Sequence, residues 1–308
     1  MEKEKKYPIY IILFFVMVAW GFNVVGTKVL VSVFPPVTIT SFRIFTAGIA
    51  AFIILAFIKK VRLPSKREFK FILIAAIFNV FAHQYFLSMG LTVASATNAG
   101  LILGLSPLLT TLFAWMFLGS RITTIRMIGI TSGLLGVFFI VLNKGSFSSI
   151  STGDIYVFLS VVTIAISFIM IKKVSNTLDP RLMTAYMLII GSVLLFFLSL
   201  FLEPTGLQQM SQETGFIWLL FFASAVISTA LGHMFYNYGI GKVGAAEASI
   251  FTNLNPFFAI VGGAVFLKEI ITMNQITGFI FIIIGVILAS GAYEEIQNSR
   301  KRKQAMAV

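Results

Sequence analysis

Apolar runs of about 20 residues, parted by short polar breaks, recur along the whole chain. A helix of roughly that length crosses the hydrocarbon core of a bilayer. Ten segments qualify: 8–29, 37–58, 69–90, 97–118, 124–142, 154–173, 182–202, 215–239, 245–267 and 274–293. The pattern predicts an all-α polytopic membrane protein with ten transmembrane helices. The first run follows Lys3, Lys5 and Lys6, as the core of a signal peptide would. It is too long for that role, and no small-x-small cleavage site closes it before Lys28, so it is expected to remain as helix 1.

Composition agrees with the pattern. Of 308 residues, 58% are hydrophobic and 11% charged, where a soluble domain carries roughly 25% charged residues. Mean hydropathy is +0.98. The absence of cysteine excludes disulfides and thiolate metal sites but identifies no compartment. A net charge of +12 would point to nucleic acid in a soluble protein. Here it follows from topology. With the N-terminus inside, 19 Lys and Arg fall on the cytoplasmic side and only Lys144 and Lys268 outside, with Lys28 and Arg43 within helices. The positive-inside rule then places both termini in the cytoplasm of a multi-pass cell-membrane protein. The tail "RKRK" (300–303) reads as an anchor to anionic headgroups, and no nucleic-acid partner is expected.

A shift of 149 residues lays the second half on the first. Gly90 meets Gly239, Ala96 meets Ala245, Leu105 meets Leu254 and Pro107 meets Pro256. Further on, "FLGSRIT" (117–123) meets "FLKEIIT" (266–272), and Gly129 meets Gly278. The start of each half matches more weakly at a shift of 144, with Lys28 on Lys172 and Pro36 on Pro180. The expected organisation is one repeat at 1–143, a second at 154–293, and a basic cytoplasmic tail at 294–308. Five spans per repeat is an odd number, so the second repeat enters the membrane from the opposite side. Such inverted repeats are a recurring construction of secondary transporters, with the solute site near the midplane.

Pro107 and Pro256 fall near the middles of helices 4 and 9, at matching places. Proline removes a helical N–H and clashes with the carbonyl four residues back, which lipid cannot hydrate. A kink duplicated at mid-depth reads as a hinge or a binding feature; a packing kink satisfied by Ser or Thr is the other reading. Within "TNLNPFF" (252–258), Asn253 and Asn255 offer amides either to a ligand or to the freed carbonyls.

These residues resemble a known family. "WGFNVVGTKVL" (20–30) with "PPVTITSFRIFTAGI" (35–49) is similar to the opening of an EamA domain of the drug/metabolite transporter superfamily. The closing pattern appears as Pro256, Leu267, Glu269, Thr272, Gly278 and Gly285, and the likeness covers about 8–293 as two tandem units. The sequence departs from the family at Ser120, where the first repeat usually has the acid that Glu269 supplies in the second, and at Asn255, an amide where an acid is common. The resemblance implies a ten-helix basket around a central cavity. It also implies movement of small metabolites, often export of amino acids or amphipathic compounds. A non-transporting membrane receptor or assembly partner is the alternative.

Polar groups inside the spans are the functional candidates, since an ionisable residue there costs about 2.5–3.5 kcal/mol on insertion scales. Lys28 and Arg43 read either as a snorkelling lysine with a carbonyl-capping arginine, or as a pair that binds a carboxylate or phosphate. His83 and His233, within one residue of equivalent places, suit pH gating, proton relay or plain hydrogen bonding. Glu247 either favours a helix N-terminus or couples protons. Trp20, Asn23, Tyr85, Asn98, Tyr236, Asn237, Asn253 and Asn255 complete the candidate solute-binding set, with Asn79 and Gln84 nearby. GxxxG spacings at Gly100–Gly104 and Gly129–Gly133 suit close helix packing.

Enzyme chemistry is not expected. "GIGKVG" (239–244) matches GxGxxG but follows a membrane helix instead of a strand, and is expected to be the turn between helices 8 and 9. No HExxH or GxSxG and no carboxylate pair lies in a span, and no cofactor or metal is implied. One chain holds both halves, so a monomer or a homodimer is equally compatible with it.

Overall fold

The computed structural model describes residues 7–119, 123–141, 151–174, 177–210, 215–243 and 251–289. Among these residues ten helical spans follow one another: α1 (Tyr7–Val33), α2 (Pro36–Phe57), α3 (Lys66–Val93), α4 in two pieces (Ala96–Leu103 and Ser106–Leu118), α5 (Thr124–Val141), α6 (Thr152–Val174), α7 (Pro180–Leu202), α8 (Gly215–Phe222 continuing through Ala223–Leu231 and Gly232–Val243), α9 (Leu254–Phe266) and α10 (Met273–Ala289). Seven of these are long and apolar enough to cross a membrane by themselves; the described parts of α5, α9 and α10 are shorter. Large apolar side chains face outward, with Phe15 63%, Phe201 82% and Phe216 72% exposed. In water such a surface would be a liability; it is the lipid-facing coat of a polytopic bundle.

Local chemistry fixes several ends. Pro36 and Pro180 open α2 and α7 from the first helical position, where a missing N–H costs nothing. Ser65 and Glu68 form a reciprocal capping box on α3. Gly119 closes α4 with φ of 64°, a left-handed turn that favours glycine. Arg62 donates to both oxygens of Glu68 and to the Thr177 carbonyl, while the Tyr186 hydroxyl donates to the Arg62 carbonyl. The α2–α3 loop is thereby tied to the start of α7.

Packing repeats with two-fold logic. The α1 contacts with α8 and α9 are matched by those of α6 with α3 and α4, and α2 against α8 is matched by α7 against α3. Helices α2 and α7 pack on each other, as do α5 and α10. At the α5–α10 seam glycine permits backbone contact. A Cβ on Gly129 would stand 2.6 Å from the Gly285 carbonyl, and one on Gly136 would stand 2.6 Å from the Gly278 carbonyl. At a shift of 149, Gly129 corresponds to Gly278 and Gly136 to Gly285. Each residue therefore meets its partner's counterpart, the signature of an isologous interface. Gly100 seats against Ala259, and Gly104 against Pro256, between α4 and α9.

One feature departs from the sequence reading. Helix α8 continues through Val243, so most of "GIGKVG" is helix, not turn. The start of the ninth span, Glu247 within it, and the tail at 294–308 lie outside the described residues.

Candidate functional site

Arg43 lies in α2 at 2% exposure. Its Nη1 donates to the Ser224 hydroxyl at 3.2 Å and the Thr229 hydroxyl at 3.1 Å, and its Nη2 donates to the Gln84 side-chain oxygen at 2.8 Å. Ser224 passes the contact on, donating to Asn23 Oδ1 at 2.5 Å. One buried guanidinium thus joins α1, α2, α3 and α8. Its acceptors are side-chain oxygens, where the capping reading had backbone carbonyls.

Two of those helices are interrupted where they meet it. Residues Ala76–Ala82 of α3 and Ala223–Leu231 of α8 are π-helical. A shift of 149 carries 76–82 onto 225–231, so these segments coincide in the repeat. A π-turn widens the hydrogen-bond ring by one residue and often marks a functional site. Here it rotates Asn79 toward Ser167, which accepts from its Nδ2 at 2.8 Å, and presents Ser224, Ser228 and Thr229 to α1 and α2.

An aromatic group stands beside this layer. Trp20 packs against His233 and Tyr236, with ring centroids 4.8 and 5.1 Å apart, and its Nε1 donates to the Ser228 carbonyl at 2.9 Å. The Ser228 hydroxyl returns a bond to the Ala19 carbonyl. On the other repeat, His83 Nδ1 pairs with the Ser160 carbonyl at 2.9 Å. Both imidazoles lie within electrostatic range of Arg43.

The proline positions resolve into clean breaks. Helix α4 stops at Leu103 and restarts at Ser106; α9 begins at Leu254 after a turn at Thr252–Asn253. Each proline then occupies the first turn of a new helix. The carbonyl orphaned by Pro107 belongs to Leu103 and accepts from the Ser106 hydroxyl at 2.7 Å. The one orphaned by Pro256 belongs to Thr252 and accepts from the Asn255 backbone N–H at 3.1 Å. That leaves the side-chain oxygens of Asn253 and Asn255 buried with no hydrogen-bond partner among the described residues. Asn255 also approaches α1, since a Cβ on Gly21 would stand 2.9 Å from its carbonyl.

Other candidates lie elsewhere. Lys28 Nζ donates to the Leu91 and Ala94 carbonyls, both at 2.7 Å, so it caps α3. Beside it, Glu269 accepts from the Ala96 and Thr97 N–H groups at 2.7 and 2.8 Å, capping α4. Asn98 joins this end cluster, bonded to Asp154 and Gln275, and is not part of the central layer. In the same manner Glu203 accepts from the Val37 and Thr38 N–H groups at the start of α2. Tyr85 sits edge-on to Phe86, and Asn237 donates to the Thr184 hydroxyl. The structure therefore gathers Trp20, Asn23, Arg43, His233 and Tyr236, and separates Lys28 from Arg43. Sequence reasoning missed Ser224, Ser228 and Thr229; the one signal available was the alignment of Ser228 on Asn79.

Known proteins bear on this arrangement. The pattern of the EamA-like transporter family matches residues 8–142 and again 151–291. Uncharacterized transporter YyaM of Bacillus subtilis (strain 168) is 30% identical over 98% of this chain and 100% of its own length. Uncharacterized transporter YvbV of the same organism is 27% identical over 94% of each chain. One solved crystal structure superposes with a TM-score of 0.66 at 17% identity, covering 92% of this chain and 97% of that one, a likeness of fold alone.

Proposed function

The chain belongs to the EamA-like transporter family, and from that premise we propose that it exports small organic solutes across the cell membrane by alternating access. Amino acids or amphipathic compounds are the solute class. Each half, 1–143 and 154–293, acts as a five-helix unit, with both termini and the basic tail 294–308 in the cytoplasm. The solute site lies between the halves, where Trp20, Asn23, His233, Tyr236, Asn253 and Asn255 offer aromatic faces and amides.

The observation that carries this reading is the matched interruption of α4 and α9 at Pro107 and Pro256. Broken helices at equivalent depth in inverted repeats are where carriers bind and bend. A rigid bundle would have no use for two such breaks, whereas a carrier can exchange their conformations to open one face and then the other. The described acids sit at helix ends or in loops, which supports facilitated exchange over proton coupling.

The test is flux. Purified protein in sealed vesicles, loaded with unlabelled amino acids, is expected to accumulate the matching labelled solute by counterflow. A panel of amino acids, amines and nucleosides that shows neither flux nor protection against thermal unfolding would count for a receptor or assembly role instead.

A further inference from the structure

Arg43 carries a charge that no described residue neutralises. A guanidinium stays protonated in proteins, and its three hydrogen bonds all end on neutral oxygens. The described acids are engaged elsewhere: Glu68 with Arg62, Asp154 with Asn98, Asp179 with Arg181, Glu203 with α2 and Glu269 with α4. Hydroxyl and amide dipoles orient around a cation without cancelling its net charge. In surroundings of low dielectric an uncancelled charge reaches much further than in water.

Its direction of influence can be traced. The path from Arg43 through the Ser224 hydroxyl ends on Asn23 Oδ1 in α1. Asn23 is one helical turn from Trp20, whose ring packs on His233. Lys28 does not share this task, because its ammonium group is committed to the end of α3.

We propose that Arg43 makes the Trp20–His233 region selective for organic anions, so that the transported solute carries a carboxylate or phosphate and has net negative charge. Arg43 is the specificity-determining countercharge, acting with Ser224 and Asn23. This rests on the carrier reading above. A lone buried cation is costly, and an anionic solute relieves that cost while it occupies the site. The same charge repels cations, as an arginine in a pore does.

The test uses Trp20 as the reporter. The chain has 3 tryptophans, so Trp115→Phe combined with Trp218→Phe leaves Trp20 alone. Its fluorescence is quenched with iodide, caesium and acrylamide in an uncharged detergent at constant ionic strength. Acrylamide, being neutral, asks only whether a solute reaches Trp20. With each constant divided by that for free tryptophanamide, and relative to acrylamide, iodide is expected to quench at least about threefold more strongly than caesium. The ratio should persist in Arg43→Lys and approach parity in Arg43→Gln. Parity with Arg43 intact, while acrylamide still quenches, overturns anion selectivity and leaves the carrier reading standing. Complete protection from acrylamide removes the shared solute site, and both readings fall. If the double variant does not accumulate, the difference between the parent and Trp20→Phe yields the same constants, and parity there also overturns the proposal.

Discussion

The Ser132 hydroxyl donates to the Phe281 carbonyl at 3.0 Å, and the two residues stand 149 positions apart. That is the offset which superposes the halves of the sequence. Contact between a residue and its own counterpart places the pair on the two-fold axis, so the pseudo-axis passes through the α5–α10 seam near Ser132. The reciprocal contacts of Gly129 with Gly285 and Gly136 with Gly278 flank it.

Gly129→Val should destabilise the folded protein by about 1–3 kcal/mol, the usual cost of overpacking. Its Cβ would meet the Ala289 nitrogen and Gly285 carbonyl at 2.6 Å, both backbone atoms with little room to yield. Gly119→Ala is the control, since no atom lies within 4 Å and only its φ of 64° is strained. The control should lose about 1 kcal/mol. Thermal unfolding in detergent reads both, and equal losses would mean the seam is not tightly packed.

Glu269→Gln removes the charge from the α4 cap, and Lys28→Met removes the α3 cap beside it. Each should cost about 1 kcal/mol or somewhat more. The two groups are also electrostatically coupled. The double variant should therefore depart from additivity by about 0.5 kcal/mol or more. Strict additivity in unfolding experiments would show that the caps act independently.

Pro256→Ala restores an N–H that can bond the Thr252 carbonyl and carry the helix across its break. Insertion and yield should match the parent, while counterflow slows severalfold, an activation cost of about 1 kcal/mol. Pro107→Ala should behave alike at the matching break. Parental rates in both would remove the mechanical role of the prolines.

Orientation can be mapped cleanly because the chain has no cysteine. Val93 and Leu63 are 60% and 86% exposed, at opposite ends of the span that contains α3. An impermeant maleimide applied to intact cells should label Val93→Cys, and reach Leu63→Cys only after permeabilisation. The reverse pattern would invert the topology inferred from lysine and arginine placement.

The helices and the breaks in α4 and α9 were legible because lipid imposes a length and proline a local fault, both written in single residues. The π-segments of α3 and α8 were not. A π-turn changes which carbonyl an N–H reaches without requiring any particular side chain, so "AIFNVFA" and "ASAVISTAL" read as ordinary helix. The partners of Arg43 were hidden for the same reason, since Ser224 and Thr229 face α2 only once the helix is widened there. The capping roles of Glu203 and Glu269 depend on long-range proximity that spacing alone does not reveal. Asn98 was grouped with the central set, but position within a repeat says nothing of depth along the path, and it bonds Asp154 and Gln275 instead.

Both capping glutamates belong to the second half, and both hold helix starts of the first. At the matching offsets of 144 and 149 the first half has Lys59 and Ser120, neither of which can reciprocate as an anion. Duplicated shape therefore does not bring duplicated charge: among the described residues, carboxylate clamps between the halves stand at one face. If the chain works as the carrier proposed above, an empty molecule would have a preferred stance and would climb out of it on every return stroke. Such a bias cannot shift the final ratio of solute across the barrier, which obeys the gradient alone, but it does set the tempo of each cycle.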